Sequence, residues 1–325
     1  VSGPEVTLSG ANGKSATFLA PSVAAATELK FRFTATDAKG KSTSAETSVT
    51  VSPAALGFTA IAKHRNDVVT VPEGYTATVL YRLGDPLAAG VSAYANDGSD
   101  TNFAQRAGDH HDAMAYFGLN AAGTARDDNS STRGLLVINH ENISEQYLHP
   151  AGPTNAGGVR PESEALKEIE AHGVAVVEVK EGSNRAWSYD QASTYNRRIT
   201  PNTPMAIHGP ARGNALLKTA HSADGTSARG TINNCANGYT PWGTSLNCEE
   251  NWAGYFKRPI DPDNANRTAV GGNTAKSVEA LRRYGVTSGT GSNGWSTVTA
   301  SNPANTLFRR WNATVDTAAP ADGTG

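Results

Sequence analysis

The chain has 325 residues, with 28 Lys and Arg against 30 Asp and Glu and a formal net charge of -2. That balance provides no basic field to attract a nucleic-acid backbone or an anionic membrane, so nucleic acid is not an expected partner. No run approaches the roughly 20 apolar residues that span a bilayer, which argues against membrane insertion. The length favours two domains over one core. Hydrophobic residues are 38% and charged residues 18%, with 33 Gly, a balance that suits short strands and many turns, so the expected class is mostly β.

Residues 1–53 are rich in Thr, Ser, Ala and Val and contain no His, Cys or Trp. Leu29, Phe31, Phe33 and Ala35 alternate with Lys30, Arg32, Thr34 and Thr36, the period of a strand with one buried face. Asp37-Ala38-Lys39-Gly40 reads as a turn, and Thr43 to Val51 as a second alternating strand. Val6-Thr7-Leu8 and Ala16-Thr17-Phe18 are read as two more, which makes 1–53 a small immunoglobulin-like β-sandwich, expected to be a stalk without chemistry. Its Thr34 to Gly40 pattern resembles the PKD-like and cadherin-like repeats of bacterial surface proteins.

A second domain is read over 54–325. Val68 to Tyr81 predicts strand, turn and strand, and the apolar runs Leu135 to Ile138 and Val174 to Val179 predict two further strands. Pro161 to Glu170 predicts a helix, with Pro near its start and Leu166 and Ile169 on one face. Thr244 to Cys248 predicts a short strand. From Ser288 onward Gly, Asn, Thr and Ala dominate, and that stretch, ending in Thr317 to Gly325, is expected to add nothing to a core.

Four polar groupings could carry chemistry. In Asn233 to Trp252, a Cys235 thiolate and a Glu250 carboxylate offer one soft and one hard ligand, consistent with iron beside an oxygen-bound cation. The alternative is a Cys235 to Cys248 disulfide flanked by solvated glutamates. On a strand Glu249 and Glu250 point to opposite faces, so at most one enters a shared site. In Gly108 to Met114, His110 and Asp112 could share a face as metal ligands, or serve only as hydrogen-bonded loop residues. Glu141, where the apolar strand ends among Asn139, His140 and Asn142, suits calcium or an orienting role. Arg198 and Arg212 could clamp phosphate oxygens, although paired Arg197 and Arg198 also fit a solvated edge.

Taken in order, Val71-Pro72-Glu73-Gly74-Tyr75, Gly84-Asp85-Pro86-Leu87, Asp109 to Met114, Asn139-His140-Glu141, Glu170 to Val174 and the Cys235 to Glu250 segment resemble the PhoX family of bacterial alkaline phosphatases. The resemblance spans roughly residues 56–311. It implies a β-propeller, a phosphomonoester substrate, a centre of irons and calciums bridged by an oxo group, and export through the twin-arginine route to the periplasm, the cell surface or beyond. It also implies that Cys235 is an iron ligand and Glu250 a metal ligand, leaving Cys248 as a buried free thiol. Glu141 and Asp112 are the further carboxylates expected at the centre.

Family members continue past this stretch. The chain is therefore expected to hold an incomplete propeller and an incomplete site, completed by the remainder of the same protein or by self-assembly. A chain that begins at Val1 rather than Met is expected to have lost a leader or upstream modules. The rival expectation is a non-catalytic cell-surface or filament scaffold built on the same frame.

Overall fold

The computed structural model describes residues 2–55, 57–219, 221–269, 274–286, 288–302 and 305–315. Its contacts divide the chain into two compact units, 1–78 and 79–325. The structure is mostly β with few helices.

In the first unit, β1 (Thr27–Thr36) and β2 (Ser42–Val51) form an antiparallel hairpin in unbroken register from Thr27↔Val51 to Thr36↔Ser42. The turn closes because the Asp37 carboxylate accepts the backbone N–H groups of Lys39 and Lys41, while Gly40 takes the left-handed φ of 81°. Across the pair, the Arg32 guanidinium grips Glu46 through two nitrogens. Val6 to Leu8 and Ala16 to Phe18 do not become strands. They contribute one isolated bridge, Ser9↔Thr17. Three-residue apolar runs have too few ladder bonds to hold a strand without a partner sheet, and Leu29 is the one fully buried apolar side chain of this unit among the described residues. Val68 to Tyr81 forms no strand either, and Val68, Val69 and Val79 are exposed.

The second unit is organised on an antiparallel sheet of β3 (His111–Gly118), β4 (Arg133–His140) and β5 (Gly173–Glu181), with β6 (Trp187–Tyr189) and β7 (Arg197–Ile199) both on the outer edge of β5. Both faces are covered: Leu87, Ile138, Ala175 and Val177 pack on one, and Ala115, Val137, Val174 and Val176 on the other. This is why β5 reads as a continuous apolar run rather than an alternating one. Two-stranded ladders follow: β8 (Pro204–Ala206) with β9 (Ser227–Arg229), β10 (Asn234–Tyr239) with β11 (Ser245–Glu249), and β12 (Lys257–Arg258) with β13 (Gly289–Thr290).

The helices are short: α1 (Glu145–Leu148), α2 (Glu162–Glu170), α3 (Ile260–Ala269) and α4 (Thr274–Arg283). Helix α2 follows Pro161 as the sequence predicts, and buries Ala165 and Ile169 against Ile232, Tyr255, Trp295, Phe308 and Trp311. The stretch after Ser288 thus supplies three large aromatic side chains to a core, contrary to the expectation from its composition. Glu168 fastens it to α2, accepting from the Trp295 indole N–H at 2.7 Å and pairing with Arg160. The expected tail Thr317 to Gly325 lies outside the described residues.

Arg198 is not a phosphate clamp. Strand alternation turns Arg197 outward and Arg198 inward, where its guanidinium donates to the carbonyls of Val174, Phe103, Arg106, Glu170 and His172. Burial pulls its pKa down to about 10, which still leaves it charged near neutrality. The buried charge is thus fully spent on stapling β5 to the 103–106 segment. Arg198→Met should lower unfolding free energy by about 3 kcal/mol, because the carbonyls it serves lose their donors. Urea denaturation checks this, and a loss below about 1 kcal/mol would contradict the staple.

Two fully buried histidines add a pH dependence. Burial, with Arg198 nearby, holds His140 well below the usual imidazole range, and burial pushes His172 down to about 4. In the unfolded chain both take up protons near pH 6.5. Between that value and about 4 for His172 the unfolded state binds more protons, so stability present above the window drains away as pH falls. Urea midpoints followed by Trp fluorescence should therefore decline from about pH 6.5 downward. A flat profile over that range would mean these imidazoles are charged in the fold.

Candidate metal centre

Four of the side chains singled out in the sequence meet at one place. Ligand atoms of Asp112, Glu141 and Cys235 lie within 4.8 Å of one another, and the Cys235 thiol is within hydrogen-bonding reach of Asp112 and Glu250. They come from β3, the residue after β4, β10 and the residue after β11.

Local backbone irregularity brings them together. In the β3–β4 ladder His111 pairs with His140 and Met114 with Ile138, so Asp112 and Ala113 oppose the single residue Asn139. In the β10–β11 ladder Asn234 pairs with Glu249 and Asn237 with Asn247, so Cys235 and Ala236 oppose Cys248 alone. Each is a one-residue bulge, a feature that re-aims a side chain out of strict alternation. Asp112 and Cys235 therefore both sit in bulges. Left-handed φ values flank them: His110 at 39°, Asn233 at 52° and Asn251 at 45°. Such conformations cost non-glycine residues energy and gather at functional sites.

Asparagine amides hold the bulges in place. Asn139, opposite the first bulge, donates through Nδ2 to the carbonyls of Cys235 at 2.9 Å and Ala236 at 3.3 Å. It thereby fixes the second bulge onto β4. Asn233 donates to the Glu141 carbonyl at 3.0 Å, and its own carbonyl accepts the Glu250 N–H at 2.8 Å. The Glu141 N–H in turn bonds the His110 carbonyl at 3.0 Å. Glu249 faces away, accepting from Thr231 and the Ile232 amide, so only Glu250 of the pair enters the cluster.

Cys235 and Cys248 are both free thiols, so the disulfide alternative does not hold, and Cys248 is exposed rather than buried. His110 is directed to Ser144 instead of the cluster. Arg212 is exposed after the Gly209 turn, with no contact among the described residues to link it to the cluster. A second grouping, His149, Glu164 and Glu168, already contains a cation: Arg160 pairs with both glutamates.

The donor set fits the implied metals. Among the described residues no Lys or Arg forms an ion pair with Asp112, Glu141 or Glu250, so three carboxylates stand uncompensated beside a thiol. The buried amide oxygens of Asn139, Asn233 and Asn234 accept no hydrogen bond among the described residues. Oxygen-rich surroundings suit calcium, and a thiolate suits iron. Asn139, Asn233 and the two bulges are the parts of this arrangement that motif reading does not reveal. The signal available was the density of Asn around both motifs.

Fold and donor set define a mostly β protein with a group of carboxylates and a thiol that could hold a metal ion. The chain belongs to the alkaline phosphatase PhoX family, whose model matches residues 56–310. Among solved structures it is similar to Pseudomonas fluorescens PhoX in complex with vanadate, a transition state analogue, at 30% identity and a TM-score of 0.59. That likeness covers 82% of this chain and 43% of the other, so the chain spans less than half of that protein's length. No curated protein matches it.

The neighbouring carboxylates, Asp112 first and then Glu250, push the Cys235 thiol up to about 12. Only thiolate is nucleophilic, so in metal-free protein at pH 8 iodoacetamide should label Cys248 well before Cys235. Asp112→Asn should speed Cys235 labelling on the order of threefold to tenfold. Equal labelling of the two thiols, read by peptide mass mapping, would show that the carboxylates do not face the sulfur.

Proposed function

We propose that this chain serves metal-assisted hydrolysis of phosphomonoesters, with iron and calcium at the Cys235 cluster. The observation that carries the reading is the convergence of Asp112, Glu141, Glu250 and Cys235 in a chain of this family. The description of the Pseudomonas relative with vanadate as a transition state analogue supports phosphoryl chemistry as the common theme. Bound cations supply Lewis-acid polarisation of phosphoryl oxygens and neutralise charge.

The chain's own residues make that possible in distinct ways. Asp112, Glu141 and Glu250 concentrate cations by their uncompensated charge. Asp112 and Glu250 face the Cys235 thiol, and a cation held there would take Sγ as the thiolate, with the thiol proton passing to solvent. Asn139 and Asn233 hold the two bulged strands at fixed separation, which sets the spacing of the ligands before substrate arrives.

Finer parts of the reading go with this proposal. They are a propeller frame for 54–325, an immunoglobulin-like module at 1–53, and export to the periplasm or cell surface. They rest on family membership and on the composition of the chain.

The test is hydrolysis of an aryl phosphate by the full-length protein, with metal analysis of the same sample. Stoichiometric iron with calcium and measurable turnover is expected, and Cys235→Ser should remove the iron and lower kcat by on the order of 10³-fold. Calcium without iron and no turnover would reject the reading in favour of a scaffold at the cell surface.

A further inference from the structure

We propose that Tyr255 is a positioning residue for this centre, its hydroxyl joining the segments that carry Glu141, Cys235 and Glu250 to the core beneath α2. The proposal rests on the phosphatase reading and deepens it. Tyr255 ends a short turn, Trp252–Tyr255, just after Glu250, and is 7% exposed. Its ring stacks on Trp295 at 5.3 Å and meets the edge of His172 at 5.4 Å, so the hydroxyl is held by packing rather than by its own chain alone.

Three partners surround that hydroxyl. Asn233 Nδ2 donates to it at 3.2 Å, His172 Nε2 lies 3.2 Å away, and Asn142 Oδ1 lies 3.3 Å away. His172 Nδ1 lies 2.8 Å from the Glu168 carbonyl, which can only accept, so the proton is on Nδ1 and neutral His172 presents Nε2 as an acceptor. The hydroxyl therefore receives from Asn233 and donates its single proton to either His172 Nε2 or Asn142 Oδ1.

The positions of these partners give the tie its meaning. Asn142 follows Glu141. Asn233 stands two residues before Cys235, bonds the Glu141 carbonyl, and receives the Glu250 amide on its own carbonyl. The Glu141, Cys235 and Glu250 segments are thus each within two residues or one hydrogen bond of a group touching the hydroxyl. Asn233 also holds a left-handed φ of 52°, which its neighbours must stabilise against relaxation. Outer hydrogen bonds of this kind orient ligands, and their loss commonly costs 10 to 100-fold in metal affinity.

The test uses full-length protein carrying Cys248→Ser, so that Cys235 is the reporting thiol of the pair. Tyr255→Phe keeps the ring and removes only the hydroxyl. In EDTA, the Tyr255→Phe protein should alkylate at Cys235 about threefold faster or more, since the thiol is no longer held against its carboxylates. With Fe(II) and Ca(II) added, protection of Cys235 should need about tenfold more cation, and kcat should fall about tenfold with KM little changed. Asn233→Gly, which tolerates the positive φ and also removes the bond to the Glu141 carbonyl, should give a defect at least as large, and the double variant should be no worse than Asn233→Gly alone.

Ile169→Val thins the same core cluster without touching the hydroxyl. It should lower the melting temperature yet leave protection and kcat unchanged. Wild-type alkylation rate and protection in Tyr255→Phe, or defects in Ile169→Val that match its loss of melting temperature, would overturn the proposal. A wild-type protein whose Cys235 is never protected by cations would sink the phosphatase reading, while the rate in EDTA would still decide the role of Tyr255.

Discussion

Three carboxylates crowd a thiol at the end of the main sheet, and no Lys or Arg is paired with them among the described residues. In a fold that elsewhere matches its buried charges carefully, as Arg198 is matched by five carbonyls and Glu168 by Arg160 and Trp295, this imbalance is the constraint on which the rest of the site depends. The proposed cation would supply the missing positive charge.

The frame is arranged to sustain that unfavourable meeting. Regular strands would have sent Asp112 and Cys235 wherever simple alternation put them, and the bulges at 112–113 and 235–236 redirect both. The amide of Asn139 then spans from one bulge to the other. Beneath it, β5 is buried from Gly173 to Val179 and anchors β4 along its whole length. Behind β10 and β11, an aromatic core built from α2, Tyr255, Trp295, Phe308 and Trp311 supports the turn that follows Glu250.

The parts legible in the sequence were those with a strong local period or a motif. Alternation around Leu29 to Ala35, the apolar run Val174 to Val179 and the Pro-led pattern of α2 each named their element. Cys235, Glu250, Glu141 and Asp112 were picked out by residue type and by family resemblance. What stayed hidden depends on neighbours far away in sequence. A bulge is an extra residue relative to a partner strand, so nothing at 112 or 235 alone announces it. Arg198 looked like half of an exposed basic pair because adjacency does not say which of two strand residues faces inward. The stretch after Ser288 looked inert because abundant Gly, Asn and Thr outweighed three widely spaced aromatics. Val68 to Tyr81 had strand-forming residues but no edge to pair with.

The proposed arrangement has the Cys235 sulfur and its carboxylates sharing one cation. An anomalous-difference map from crystals of the full-length protein, with data collected on either side of the iron edge, tests it most directly. It should show an iron peak at bonding distance from Cys235 Sγ with Asp112, Glu141 or Glu250 completing the shell. A sulfur with no metal peak beside it, and carboxylates turned apart into solvent, would contradict the account.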